Sequence, residues 1–308
     1  MGWLRDERGS IAAILALAMG VLLSMTALVV DGGLLYLVRA RLADAADASA
    51  LAGVQELPEN PEEAELVARD FASRNGVPAG GVVVNISDNW HRIEVEVSQT
   101  VNLMFARLFG FRQVEVKAKS CARVGPVRAV KGAVPFGVER QAFEYGVQYT
   151  LNYVSNDKDR ENGRHRGNFG ALALGGTGGG TYRDNIKYGY SGTLHVGDWV
   201  ETEPGRMAGP TWQGVEYRIN QCDHVPGCSW NSFVPGCPRL VYVPIVDSAI
   251  PPKGRDYVQI VGFAAFFLEG VEGHGSSARV TGTFIRTVIE GECWDGEDFG
   301  LRSCRLVE

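Results

Sequence analysis

The sequence has no excess of basic charge: 30 Lys and Arg stand against 36 Asp and Glu, for a formal net charge of -6. A nucleic-acid binder needs a clustered cationic face, so that class of partner is disfavoured. It also lacks the poor composition of a disordered chain, since 45% of residues are hydrophobic and 9% aromatic. Neither G-x-S-x-G nor H-E-x-x-H occurs, and the five histidines (His91, His165, His195, His224, His274) are scattered without i, i+4 pairing. Nothing in the pattern promotes hydrolysis or a helical metalloprotease site. Charge is absent altogether from residues 11–30, IAAILALAMGVLLSMTALVV. No cysteine precedes that run or lies inside it.

At ~1.5 Å of rise per residue, an uncharged run of this length covers about 30 Å, the thickness of a bilayer's hydrocarbon core. A cleavable signal peptide has a shorter core and a small-residue cleavage site close behind it. Here the small-residue triplet Ala43-Asp44-Ala45 comes only after Arg39 and Arg41. Arg5 and Arg8 precede the span, and the positive-inside rule counts them despite Asp6 and Glu7. Arg39 and Arg41 compete on the other flank. Six cysteines on that second side suit an oxidising compartment, so the orientation is N-terminus in, body out.

Beyond Asp31 no breaker ends the helix. Leu35, Val38, Leu42, Ala45, Ser49 and Ala52 recur at three and four residues, forming one narrow seam. Small residues on such a seam permit close helix approach. The segment resembles the N-terminus of TadE/TadG-like proteins of Flp (tight adherence) pilus systems. The matching residues are Arg8-Gly9, the apolar run, Val30-Asp31-x-Gly33, Tyr36, Arg39, Leu42, Ala45-Ala46-Asp47-Ala48 and Leu51-Ala52-Gly53. The resemblance covers residues 8–53 and implies a bacterial envelope protein of pilus assembly, not an enzyme. Some TadG-like proteins carry an integrin-type domain with a D-x-S-x-S metal site, a motif absent here. Gly9-Ser10, between charged leader and apolar run, resembles a prepilin-peptidase cut site. The glutamate usual five residues beyond that cut is Ile14 in this chain.

Asp31 marks the outer end of the span, because an ionised carboxylate in hydrocarbon is costly. Its second reading is a register contact, neutralised by the arginine or free N-terminus of a packed neighbour. Further on, Asn60-Pro61-Glu62-Glu63 opens a helix whose apolar side includes Val67, Phe71 and nearby alanines. Residues 82–87 and 92–101 read as strands, 101–110 as a short helix with Leu103, Phe105 and Leu108 inward, and 113–124 as a third strand. This α-β-β-α-β order resembles the small module that follows the anchor in TadE/TadG-like proteins. From Gly132 onward, short apolar segments punctuated by glycine, proline and aspartate predict a β-rich domain, sandwich-like or barrel-like, with 258–268 as its central strand.

Four candidate sites remain. Cys121, Cys222, Cys228, Cys237, Cys293 and Cys304 read as disulfide candidates, one bridge within or near 222–237 and one closing 293–304. Cys222, His224, Cys228 and Cys237 can also be written as zinc ligands, though structural zinc sites usually show tighter pairs such as C-x-x-C. Asp157, Asp159 and Glu161 alternate as hard oxygen ligands for calcium do, without the glycine and closing glutamate positions of an EF-hand. The glycine run 175–180 echoes a phosphate loop but lacks the Lys-Ser/Thr and an evident following helix.

The expected architecture is therefore α+β. It comprises a charged cytoplasmic leader (1–9), a transmembrane and stalk helix (10–57), a small α/β module (58–125) and a β-rich exterior domain (126–308). The expected function is a non-enzymatic, pilus-associated envelope protein without a cofactor. Its partners are the membrane and further copies of itself in a helical polymer, or other pilus-system subunits. The assembly helix carries Asp31, Leu35, Val38, Leu42, Ala45, Ser49 and Ala52. The competing expectation is a tethered binding module or hydrolase, whose helix only anchors it.

Overall fold

The computed structural model describes residues 8–89, 91–153, 166–203, 207–247, 255–273 and 278–307. The chain is mixed α+β, a long apolar N-terminal helix followed by a β-rich C-terminal region. It divides into two compact units, Met1–Arg123 with Leu306–Glu308, and Val124–Arg305.

The first unit is built on α1 (Arg8–Gly53), a single helix of 46 residues, about 69 Å long at ~1.5 Å per residue. It is followed by α2 (Pro61–Arg74), then β1 (Val82–Ser87), β2 (Arg92–Asn102) and β3 (Gln113–Pro126), whose last residues enter the second unit. Pro61 occupies the first turn of α2, where a missing N–H costs nothing, and Glu62 and Glu63 complement the helix dipole there. The buried side of α2 is Ala64, Ala68 and Ala72, whereas Phe71 is exposed and Val67 only half-buried. The alanines of the expected apolar side are thus buried, and Val67 and Phe71 are the part that is corrected. A stripe of alanines lets α2 lie close to α1, which larger residues would prevent. β2 pairs antiparallel with β1 and β3, and Ile93, Val95 and Val97 are buried at alternate positions. The expected short helix between β2 and β3 is a single 3-10 turn, Ala106–Phe109, closed by Gly110 at φ 95°. Leu103 is buried there and Phe105 half-buried.

In the second unit the chain order is β4 (Ala129–Lys131), β5 (Phe136–Glu139), β6 (Gln148–Tyr153), β7 (Arg166–Ala171) and α3 (Gly179–Tyr188). Then follow β8 (Thr193–His195), β9 (Trp199–Glu201), α4 (Ala208–Asn220), β10 (Leu240–Val246), β11 (Tyr257–Glu272), β12 (Arg279–Ile285), β13 (Thr287–Ile289) and β14 (Leu301–Val307). The pairing sequence β10-β5-β7-β6-β12-β11 returns to β10, so six strands form a closed ring, with β9 added along the start of β11. Of the sandwich-like and barrel-like forms expected from the sequence, the strands take the barrel-like one, in which closure removes their edges.

The apolar run 258–268 falls in β11, the longest strand. Ala264, Phe266 and Leu268 join one buried cluster with Phe136, Leu151 and Phe284. Phe263 and Ala265 face a second cluster with Ile260, Leu172 and Val246. Burial on both faces explains why hydrophobicity here is continuous rather than alternating. The two helices of this unit pack on each other: a Cβ at Gly214 of α4 would sit 2.7 Å from Ile186 of α3.

Candidate functional site: the N-terminal helix and its anchorage

Along residues 14–29 the large apolar side chains of α1 lie 54–76% exposed, and among the described residues 12–30 only Ala27 is buried. Such a surface is stable in water only if lipid or protein covers it. Its two hydroxyls are satisfied within the helix: Ser24 Oγ donates to the carbonyl of Gly20 at 2.8 Å, and Thr26 Oγ1 to that of Leu22 at 2.9 Å. That is the requirement hydrocarbon imposes on polar groups. Gly9 and Ser10 lie in the first helical turns.

From Ala27 onward one face of the same helix turns inward. Asp31, Leu42, Ala45, Ser49 and Ala52 are buried, and Leu35 and Val38 are half-buried. The face they form packs against α2 and β2. The structure therefore gathers all seven seam residues on one side and covers that side with the chain's own module. At its end, Gly53 is in ordinary helical conformation (φ -63°, ψ -38°), so it is not required by backbone geometry. It is required by space, because a Cβ there would lie 2.7 Å from Ile93 Cδ1 and 2.8 Å from the carbonyl oxygen of Ala64. Ser49 Oγ donates back to the Ala45 carbonyl at 2.6 Å, within its own helix, so the residue serves the seam by its small size. Ser49→Ala is accordingly expected to leave unfolding stability unchanged within about 1 kcal/mol, as chemical denaturation will show.

Asp31 is the polar centre of this arrangement and is 6% exposed. Its Oδ1 accepts the N–H of Met104 at 2.8 Å, and its Oδ2 accepts those of Phe105 at 3.0 Å and Ala106 at 2.7 Å. The three donors open the 3-10 turn between β2 and β3, where backbone N–H groups have no helical acceptor. The Ala106 N–H first, then those of Met104 and Phe105, outweigh burial and hold the carboxyl below the ordinary aspartate range. Its observed partners are not a neighbour's cation but backbone groups 73–75 residues further along the same chain. No side-chain pattern could have revealed them, because the donors belong to the main chain.

The remaining candidates fall elsewhere. All six cysteines are free thiols, so the two expected bridges are not formed. Cys222 Sγ and Cys237 Sγ stand 3.6 Å apart, against ~2.05 Å in a disulfide. Burial raises the Cys222 thiol, but hydrogen bonds with His224, Cys237 and Cys228 bring it down to about 6. Burial and the neighbouring sulfurs push Cys237 up to about 11. Cys304 is pushed up to about 12 by burial first and by nearby Cys293 second. Cys121 accepts from Arg92 Nε at 2.8 Å within the first unit. The calcium candidates Asp157, Asp159 and Glu161 lie outside the described residues, as do His165 and His274.

The glycine run 175–180 does lead into a helix, α3, contrary to expectation. Its glycines are poor helix formers, but Tyr182 and Ile186, four apart, are buried and hold it. The buried Glu203 places Oε1 3.0 Å from the N–H of Gly178, the residue capping α3. A carboxylate of the chain itself occupies the place where a phosphate loop would hold its ligand.

Residues 9–56 match the family described as putative Flp pilus-assembly TadE/G-like. The matched stretch is the long helix and the turn after it, so this segment is of TadE/G-like type. Comparison with curated proteins and with solved structures gives no match. The family is one of pilus assembly, not of enzymes, and together with the apolar helix it fits a pilus-associated protein of the cell envelope.

Proposed function

We propose that this chain is a non-enzymatic Tad-like pilus or pilus-associated protein, held in the envelope or assembled through residues 11–30 of α1 and displaying its β-rich domain outside. The observation that carries this reading is the division of labour along one helix inside the matched segment. Its first part offers an uncovered apolar surface, and its second part is already used to bind the body. Lipid or neighbouring subunits are the partners that such a surface accepts. Arg5 and Arg8 favour a cytoplasmic N-terminus, Arg39 and Arg41 compete on the other flank, and the six cysteines beyond the span support the same orientation. Met104 and Phe111, 65% and 66% exposed in the loop held by Asp31, suit the membrane boundary expected at that level. If copies pack head to tail without closing, the product is a filament with the apolar helices inside.

Replacing the seam of residues 42–52 with polar residues does not separate an assembly helix from a tether, because those residues belong to the module's own core. Exchange of residues 11–30 for an unrelated apolar span does separate them, since the folded body is left intact. Electron microscopy of the producing cell surface and of purified material is expected to show filaments or pilus-system complexes containing the wild-type chain and none with the exchanged span. A detergent-soluble monomer in both cases, with full function after exchange, would leave only the tether.

A further inference from the structure

Between the end of α4 at Asn220 and the start of β10 at Leu240 lies a long connection whose only regular feature is the isolated bridge between Ser229 and Ser232. Connections of this length without internal structure are uncommon in compact domains and need something to order them. The apolar material available is small: Cys228, Cys237 and Phe267 are buried together, with Cys222 and Phe233 packed beside them. Instead, the connection brings one ring nitrogen and three sulfurs to a single point. The ligand atoms of Cys222, His224, Cys228 and Cys237 all lie within 4.8 Å of one another. His224 Nδ1 is 3.5 Å from Cys222 Sγ and 3.4 Å from Cys228 Sγ, and Cys222 Sγ is 3.6 Å from Cys237 Sγ.

Those separations have a chemical meaning. Zinc bonds of ~2.3 Å to sulfur and ~2.0–2.1 Å to nitrogen, set tetrahedrally, place neighbouring ligand atoms about 3.5–3.8 Å apart. They are far too long for a disulfide. Three thiols and an imidazole also form a soft donor set, which selects zinc over calcium or magnesium. We propose that Cys222, His224, Cys228 and Cys237 form a structural zinc site that ties together the connection between α4 and β10. Binding displaces the thiol protons and leaves Zn²⁺ with three thiolates and a neutral imidazole, for a net charge of -1.

The surroundings match that charge and that role. Arg239 donates from Nη1 to the Cys228 carbonyl at 2.9 Å and from Nε to the Leu268 carbonyl at 2.8 Å, with its guanidinium 4.7 Å from the Phe267 ring centre. It fixes the backbone of one ligand and places a cation at the Cys228 carbonyl, as outer partners of metal ligands do. The two outer ligands sit at the ends of the connection: the Cys222 N–H bonds the Ile219 carbonyl of α4, and the Cys237 carbonyl receives the Leu240 N–H that opens β10. Four protein ligands leave no open position, so the site is structural rather than catalytic.

The test is made on the full chain, purified in detergent without added reductant. Elemental analysis is expected to give roughly one zinc per chain, and alkylation followed by non-reducing peptide mapping should show no bridge among positions 222, 228 and 237. Cobalt exchanged for zinc should give sulfur-to-metal charge-transfer bands and the intense visible bands of tetrahedral thiolate coordination. Cys237→Ser is expected to cut bound zinc on the order of tenfold or more, while Cys293→Ser retains it. His224→Cys, which supplies a fourth thiolate, should keep the metal and strengthen the cobalt charge-transfer band. It therefore reports even if Cys237→Ser fails to fold. A disulfide between any two of the three cysteines, wild-type chain without stoichiometric zinc, or zinc unaffected by Cys237→Ser would each overturn the assignment.

Discussion

Gly53→Ala is expected to destabilise the first unit by about 1–2 kcal/mol, although in an ordinary helix the same change stabilises by ~1 kcal/mol. The reversed sign comes from space. The added methyl group would meet the side chain of Ile93, the carbonyl oxygen of Ala64 and, at 3.0 Å, the Cβ of Ala68. The Ala64 contact is to backbone, which cannot turn aside as a flexible side chain would. Gly53→Val adds bulk at the same point and is expected to lose on the order of 3 kcal/mol, the upper part of the usual overpacking range. Gly33→Ala is the internal control. It lies in the same helix, and a methyl group added there would have nothing within 4 Å of it, so it should be neutral or gain up to ~1 kcal/mol. Urea unfolding of the detergent-solubilised variants, followed by circular dichroism, decides the matter. A more stable Gly53→Ala protein would show that α1 does not approach α2 and β2 as closely as described.

Asp31→Asn should release the loop between β2 and β3 while leaving the helix in place. The aspartate presents acceptors to three N–H groups, two on one oxygen and one on the other. An amide keeps one oxygen and turns its NH2 towards the remaining donors, so at least one of the three N–H groups loses its partner. Arg107 and Arg112 are exposed on that loop, which makes trypsin a local reporter. Cleavage there is expected to rise on the order of tenfold in Asp31→Asn, with cleavage elsewhere unchanged. The same carboxylate also sets a pH dependence. Its folded-state pKa is lowered, so its contribution is complete above the ordinary aspartate value. It is lost as pH falls through that value to the folded one. Wild-type protein should therefore open the loop as pH drops through the acid range, and Asp31→Asn should show a flatter profile there. Equal cleavage of the two proteins at neutral pH would sink the assignment of Asp31 as the clamp.

Much of this architecture was legible in the residues, but not the identity of what faces what. The three-and-four spacing from Leu35 to Ala52 defined one face of α1, and that face is the one that packs. Periodicity tells which side of a helix is buried and cannot say against which element. Of the apolar side read for α2, Ala64, Ala68 and Ala72 are buried and Val67 and Phe71 are not: size suggests burial, whereas close helix approach rewards smallness. α3 was hidden by its glycine-rich start and α4 by Gly209 and Pro210 in its first turn, low propensities overridden by Tyr182, Ile186 and Val215 in the core. The four proposed zinc ligands were legible as a possible donor set, but without a C-x-x-C pair they read more readily as disulfide partners. Their spacing, C-x-H-x3-C-x8-C, brings the four donor atoms within 4.8 Å of one another only when the connection folds back from α4 to β10.

The Asp31 clamp also has a mechanical side. A pull on the N-terminal part of α1 enters the first unit where the carboxylate grips Met104, Phe105 and Ala106. Behind it the load runs along the packed length from Leu35 to Gly53. Tension along that axis shears many contacts in parallel instead of peeling them one by one. Resistance to such a force is set by how slowly the packed segment lets go, and in a surface appendage that is the strength of the joint between rod and head.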